Sequence, residues 1–262
     1  MPGVTKAINA NAFAQSDTTI PLVRLWKDLK DLQKPLKVYT DPNAFRPFRQ
    51  SLNNMLQAIV FDFDGVVLDS VDVKTKAFEA MYLPYGETIA QEVVKHHLAH
   101  GGVSRFEKFK HYHGTFLGRE INQEELDALC QEFNEKVFQK VLAADFLPGV
   151  QEFIRHQYAQ RPLYICTGTP ESEILQITEA LGIQHFFKGI YGSPATKIEI
   201  IQRLLDSRDY QPEHMLFLGD AMTDYEAARH HGLQFTGVVL PFESLPPGTH
   251  VIPDFSNYQP AA

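Results

Sequence analysis

The apolar positions change their rhythm along the chain, and the clearest signal begins at Gln57. Ala58-Ile59-Val60-Phe61 is a continuous apolar run with no polar alternate, as expected of a strand covered on both faces of a parallel sheet. Similar runs predict strands over Leu163–Cys166, Phe186–Tyr191, Met215–Leu218 and Phe235–Leu240. Between them the spacing turns helical: Ile174, Leu175, Ile177, Thr178 and Leu181 precede Gly182, and Ile198, Ile201, Leu204 and Leu205 form a second stripe. Strands alternating with helices predict an α/β fold, a Rossmann-like doubly wound parallel sheet. Ligands of such sheets bind outside the carboxyl ends of the strands.

No strand pattern falls between Asp69 and Leu147, a stretch far longer than an ordinary strand-to-helix loop. Its apolar residues, Phe106 and Phe109, then Leu126, Leu129, Phe133 and Val137, recur at helical spacing. An inserted helical cap over 71–145 follows, with Pro148-Gly149 marking the return to the core. The core is then 55–70 plus 146–245, with 246–262 as a carboxyl-terminal tail. Residues 1–54 form an extension whose periodic segment, Leu22, Leu25, Trp26, Leu29 and Leu32, predicts a short amphipathic helix between Pro21 and Pro35. That helix docks on its own body or on another subunit. The pattern leaves the oligomeric state open.

Composition narrows the classes. The 262 residues are 44% hydrophobic and 21% charged, ordinary for a globular protein. A formal net charge of -8 argues against nucleic acid as a partner, because phosphate backbones need a basic face. No apolar run approaches the ~20 residues that cross a bilayer, so no membrane partner is expected. Met1–Asn11 lacks the charged start and apolar stretch of a secretory signal. Cys130 and Cys166 have no paired spacing, which suits buried thiols in a reducing interior. A cytoplasmic location is the expectation.

The candidate chemistry sits where the predicted strands end. Asp62 and Asp64 lie one residue apart after the first strand, where like charges demand compensation. A divalent cation with hard oxygen ligands, Mg2+, meets that demand; a plain Asp-Gly turn is the simpler reading. Asp62 can attack phosphorus as a carboxylate nucleophile, and Asp64 can move the proton of the leaving and entering oxygens. Cys166-Thr167-Gly168-Thr169-Pro170-Glu171 runs from a strand into a helix, where backbone N–H groups and the Thr167 hydroxyl face anions and Gly168 permits close approach. Thr169 and Pro170 read as N-cap and first helical residue. Thr196 and Glu199 form a capping-box pattern that puts Lys197 in a first helical turn, an unfavourable place for a cation unless it neutralises nearby anions. Gly219-Asp220-Ala221-Met222-Thr223-Asp224 follows the next apolar run. Asp220 can complete a metal shell, Thr223 and Glu226 form another capping pattern, and Asp224 either favours the helix dipole or supports the metal.

Taken in order, Asp-x-Asp-Gly-Val, Thr, Lys and Gly-Asp-x-x-x-Asp, these motifs resemble the haloacid dehalogenase superfamily over residues 56–240. The resemblance implies a phosphatase dependent on Mg2+ and acting on a small-molecule phosphate ester, a sugar phosphate or a phospho-acid. It places the nucleophile at Asp62, the acid/base at Asp64, phosphate contacts at Thr167 and Lys197, and metal ligation at Asp62, Asp220, Asp224 and the Asp64 backbone carbonyl. The second aspartate of the first motif favours phosphate esters over haloacids. Gly101-Gly102-Val103-Ser104-Arg105 is similar to the cap loop of β-phosphoglucomutases, where the arginine holds the distal phosphate; an exposed arginine at a helix start is the alternative. Lys74 is, with Gly168 and Arg105, a candidate substrate-binding residue; it stands where those mutases carry a histidine, which favours a phosphatase over a sugar phosphomutase. A non-catalytic interaction protein, using the arm with Trp26, is the third reading. His96, His97, His100, His111 and His113 are expected to be solvated cap residues.

Overall fold

The computed structural model describes residues 56–207, 210–238 and 245–260, so the expected amino-terminal helix with Trp26 lies outside the described residues. Six parallel strands form one sheet: β1 (Ala58–Phe61), β2 (Leu163–Pro170), β3 (Gly189–Ser193), β4 (Met215–Gly219), β5 (Gln234–Val238) and β6 (Val251–Ile252), in the order β3-β2-β1-β4-β5-β6. The chain leaves β1 toward β2 and β3, then crosses back to β4. The order therefore reverses beside β1, where such sheets open a ligand crevice.

All four β1 residues are fully buried, as their uninterrupted apolar run requires. Ile59 and Phe61 join a core with Phe153, Ile154, Ile174 and Ile177, whereas Ala58 and Val60 enter a second core with Ile200, Ile201, Leu204, Ala227 and Ala228. The helices behind these faces are α5 (Val150–Tyr158) and α6 (Glu171–Ala180) on one side, α7 (Lys197–Ser207) and α8 (Met222–His231) on the other. Phe61 meets Phe153 and Phe187 edge-on at 6.0 and 5.9 Å, and burying one such ring is worth about 1.5–3 kcal/mol. Register fixes the site: Phe61 pairs with Ile165 and Leu218, so Asp62, Thr167 and Asp220 follow on adjoining strand ends.

Between β1 and β2 the chain forms α1 (Val71–Tyr82), α2 (Glu87–Ala99), α3 (Arg105–His111) and α4 (Gln123–Leu142). An aromatic cluster holds them together, with Phe78 at 5.5 Å from Phe109 and 4.4 Å from Phe133. The two connections to the sheet run side by side: Leu147 N–H donates to Val67 O at 3.1 Å and Asp69 N–H to Asp145 O at 2.9 Å.

Two expectations shift. The strand expected over Phe186–Tyr191 starts later, because Gln184–Phe186 make a 3-10 turn before β3. Of residues 246–262, expected as a tail, the described part 246–260 carries β6 and buries Phe255 and Tyr258 against Phe153, so apolar side chains extend the core there. No helix among the described residues is long and apolar enough to cross a membrane. Cys130 and Cys166 are free thiols; only Cys166 is fully buried, and its burial pushes the thiol well above its usual range.

Candidate active site

The floor of the site is a chain of charge alternation. Asp62 is buried at the end of β1, its Oδ1 accepting the Phe63 N–H at 2.7 Å and its Oδ2 lying 2.9 Å from Lys197 Nζ. The same ammonium reaches Asp224 Oδ1 at 2.5 Å, and Asp224 Oδ2 accepts the Ala221 N–H at 3.1 Å. Lys197 is placed there because Thr196 and Glu199 do form a reciprocal cap, the Glu199 carboxylate accepting the Thr196 N–H at 2.8 Å. Burial works against the Lys197 charge, but Asp224 and Asp62 outweigh it and raise its pKa. Burial likewise pushes the Asp224 carboxyl up to about 7, with Lys197 opposing and Asp62 reinforcing the rise. We take Lys197 as charged, since it sits between two carboxylates. The cap expected from Thr223 and Glu226 does not form at the start of α8: Asp224 bonds the Ala221 N–H, and the Thr223 hydroxyl donates to Gly101 O at 3.2 Å.

Asp64 stands apart from this chain. Its Oδ1 accepts from Ser70 Oγ at 2.6 Å, and its Oδ2 accepts from Thr169 Oγ1 at 2.9 Å and from the Lys74 ammonium. Lys74 also donates to Thr169 Oγ1 at 2.7 Å. Burial alone would raise the Asp64 pKa, yet the Lys74 charge and the three donors hold it below the usual carboxylate value. Thr169 is therefore no N-cap. Pro170 takes the position before α6, and Thr169 turns into the site. Thr167 is buried beside it, its hydroxyl accepting the Thr169 N–H at 3.2 Å.

The cap supplies the opposite wall of a pocket of about 80 Å³, whose lining includes Asp62, Asp64 and Asp220 below and Lys74, His97, Arg105 and Lys108 above. Its closing loop packs tightly. A side chain on Gly168 would strike Gly102 O, and one on Gly102, at φ 72°, would strike Thr223 Oγ1 and Lys197 Nζ. Arg105 is not an exposed helix-start residue: it is buried over the Phe133 ring at 4.6 Å and paired with Glu173 at 2.8 Å, which ties α3 to α6. The histidines are not simply solvated either. His113 is buried, and the rings of His100 and His111 stack on His96 at 3.9 and 4.0 Å. His97 faces inward with Ala90 and Val93 and accepts from Lys108 Nζ on Nδ1 at 2.8 Å. Burial first, then Lys108 and Lys74, lower its pKa to about 2, so the ring is neutral with its proton on Nε2. The sequence motifs thus missed Ser70, Thr169, Glu173, His97 and Lys108; only His97 had a usable signal, its helical phase with Val93.

Residues 59–238 match the model of the haloacid dehalogenase-like hydrolase family. The chain belongs to that family. Relatives of this haloacid dehalogenase-like hydrolase include a phosphoglycolate phosphatase of Vibrio cholerae, 26% identical over 76% of this chain and 92% of the relative. A phosphorylated carbohydrates phosphatase of Thermotoga maritima is 24% identical over 68% of this chain and 83% of its own length. The fold is similar to a β-phosphoglucomutase structure from Clostridium difficile, at TM-score 0.62 and 18% identity over 78% of this chain and 94% of that one.

The residues of this haloacid dehalogenase-like hydrolase fit a hard divalent cation. Carboxylate oxygens of buried Asp62, Asp220 and Asp224 lie within 4.8 Å of one another, an all-oxygen donor set that suits Mg2+. Gly219 leaves the room they need, since a side chain there would collide with the Asp224 carboxylate. The Asp64 carboxylate is outside this cluster and committed to Ser70, Lys74 and Thr169, which leaves only its backbone carbonyl for a metal.

Proposed function

We propose that the chain is a Mg2+-dependent phosphatase that hydrolyses a small phosphate monoester through an aspartyl-phosphate on Asp62. The observation that carries this reading is the isolation of the two aspartates of the first motif. Asp62 shares one buried cluster with Lys197, Asp220 and Asp224, while Asp64 is held separately by Lys74. Asp62 attacks phosphorus, a bond forms from its carboxylate oxygen to the phosphoryl group, and the ester P–O bond breaks. Thr167, the N–H groups around Gly168 and the Lys197 ammonium hold the phosphoryl oxygens. Asp64 and Lys74 act as one proton-carrying unit: the leaving oxygen takes its proton from the pair. A water then attacks the phosphoaspartate, its proton returns to the pair, and phosphate and free Asp62 result. Asp62, Asp220 and Asp224 would hold Mg2+, whose positive charge would offset the negative charge of the phosphoryl oxygens.

Acetyl phosphate with Mg2+ tests the reading: hydrolysis is expected, and Asp62→Asn is expected to abolish it. Turnover that survives this substitution refutes the covalent route. The phosphomutase alternative is disfavoured by Lys74, which stands where those mutases carry a histidine and is paired here with Asp64. The interaction-protein alternative gains nothing from a pocket lined by Asp62, Asp64, Thr167 and Asp220 together.

A further inference from the structure

The Gly101-Gly102 turn joins α2 to α3 and meets the core with backbone alone, since neither residue has a side chain. Both residues line the pocket beside Thr167 and Gly168. Gly102, at φ 72°, sits directly on the core: a methyl there would come within 2.9 Å of Lys197 Nζ and would strike Thr223 Oγ1. Its carbonyl oxygen in turn fills the place that a Gly168 side chain would take. The turn thus closes one side of the Lys197 ammonium, whose side chain is only 4% exposed. Contacts to the core flank Gly102 on both sides. Downstream, Arg105 pairs with Glu173 of α6 at 2.8 Å; upstream, Gly101 O accepts the Thr223 hydroxyl of α8 at 3.2 Å. The start of α8 does not need that hydroxyl as a cap, because Asp224 already takes the Ala221 N–H.

We propose that Thr223 is a positioning residue for phosphoryl transfer: its hydroxyl holds the Gly101-Gly102 turn against Lys197 and so keeps water from the ammonium that meets the phosphoryl oxygens. The proposal rests on the phosphatase reading above and adds a residue to it. The first turn of α8 makes both contacts, Asp224 to Lys197 at 2.5 Å and Thr223 to Gly101, so one helix start sets the ammonium and the backbone that covers it. An ammonium in a dry site acts on an oxyanion more strongly than one shared with water, because the effective dielectric is lower. When the turn lifts, water enters beside Lys197 and that advantage shrinks. No atom of Thr223 has to reach the substrate for this. Because the turn covers the phosphoryl end, the loss does not depend on the group that leaves.

The test compares Thr223→Val, which keeps the shape and loses the donor, with Thr223→Ser, which keeps the donor, on acetyl phosphate and on an aryl phosphate with Mg2+ present. Thr223→Val is expected to lower kcat/KM about fivefold on both compounds, the worth of one neutral hydrogen bond, and Thr223→Ser to stay within about twofold of the wild type. A double-mutant cycle gives a second readout that a general loss of stability does not move. Gly102→Ala is expected to cost at least about threefold less in a Thr223→Ala background than in the wild type, because the atom its methyl would strike and the bond it would break are both gone. An equal cost in the two backgrounds overturns the inference. So does a Thr223→Ser variant as impaired as Thr223→Val, a loss confined to one of the two compounds, or a weakened Mg2+-induced rise in Tm, which would put the effect on Asp224 and the metal. If the wild type hydrolyses acetyl phosphate and Thr223→Val does so equally well, this inference alone falls; if the wild type hydrolyses neither compound, the phosphatase reading falls and takes the inference with it.

Discussion

Replacing Lys197 by methionine removes the one ammonium that the described structure sets between Asp62 and Asp224, at 2.9 and 2.5 Å. The three side chains are no more than 4% exposed, so water cannot take over the lost compensation. Breaking a buried ion pair from one side costs about 3–5 kcal/mol, which for a body of this size lowers Tm by about 6–20 °C. The penalty has a pH signature. The Asp224 carboxyl is already pushed up to about 7 by burial, and without Lys197 its pKa rises further. A group whose folded pKa lies above its unfolded value of 3.8 stabilises at low pH and loses that contribution as pH rises toward the folded pKa. Metal-free Lys197→Met is therefore expected to lose stability from pH 6 to 8 by about 1.4 kcal/mol per unit, more steeply than the wild type. Saturating Mg2+ brings a cation back to the same carboxylates and is expected to recover much of the Tm while activity stays lost. Differential scanning fluorimetry across pH, with and without Mg2+, reads all three effects. A metal-free variant that melts within about 2 °C of the wild type at pH 8, or a deficit that Mg2+ leaves untouched, refutes the reasoning.

Gly102→Ala puts a methyl at a left-handed residue against Thr223 Oγ1 and Lys197 Nζ; about 2 kcal/mol against the docked loop predicts a roughly thirtyfold drop in kcat/KM. Steady-state kinetics at unchanged Tm would show that the cost falls on docking. His97, with its pKa lowered from 6.5 to about 2 by burial and by Lys108, resists the proton that the unfolded chain accepts. Stability is thus lost as pH falls below 6.5, by about 2 kcal/mol at pH 5, and His97→Gln is expected to flatten the denaturation profile over that window. Asp220→Asn is expected to weaken the Mg2+-induced Tm rise at least about tenfold in metal concentration, whereas Asp64→Asn, which spares the backbone carbonyl, keeps the rise and loses turnover.

The sheet was legible because its signals are local. Ala58–Phe61 reads as buried on both faces from four letters, and each later motif follows its own apolar run, so the adjacency of Asp62, Thr167 and Asp220 follows from strand order alone. β6 was not legible, since two residues carry no periodicity, and its place depends on Phe255 and Tyr258 finding Phe153. Thr169 misled for a different reason: a threonine before a proline is a good cap, and nothing local says that Asp64, 105 residues earlier, accepts its hydroxyl.

The cap resisted reading because its chemistry lies in helix phase and in partners from other elements. Along α2, His96 and His100 face one another in a stack while His97 turns inward with Val93, so neighbouring letters of one type do different work. Lys74 and Arg105 looked like free cations for a substrate. The structure pairs each with a carboxylate, Asp64 and Glu173, and both of those belong to the sheet side of the pocket. The consequence is mechanical as well as electrostatic. Lys74 rides on α1, and Arg105 on α3 behind the Gly102 loop, so any withdrawal of these helices strips Asp64 and Glu173 of their cations. Cap position and the protonation of Asp64 are then one variable, because the residue that sets that protonation is itself part of the cap.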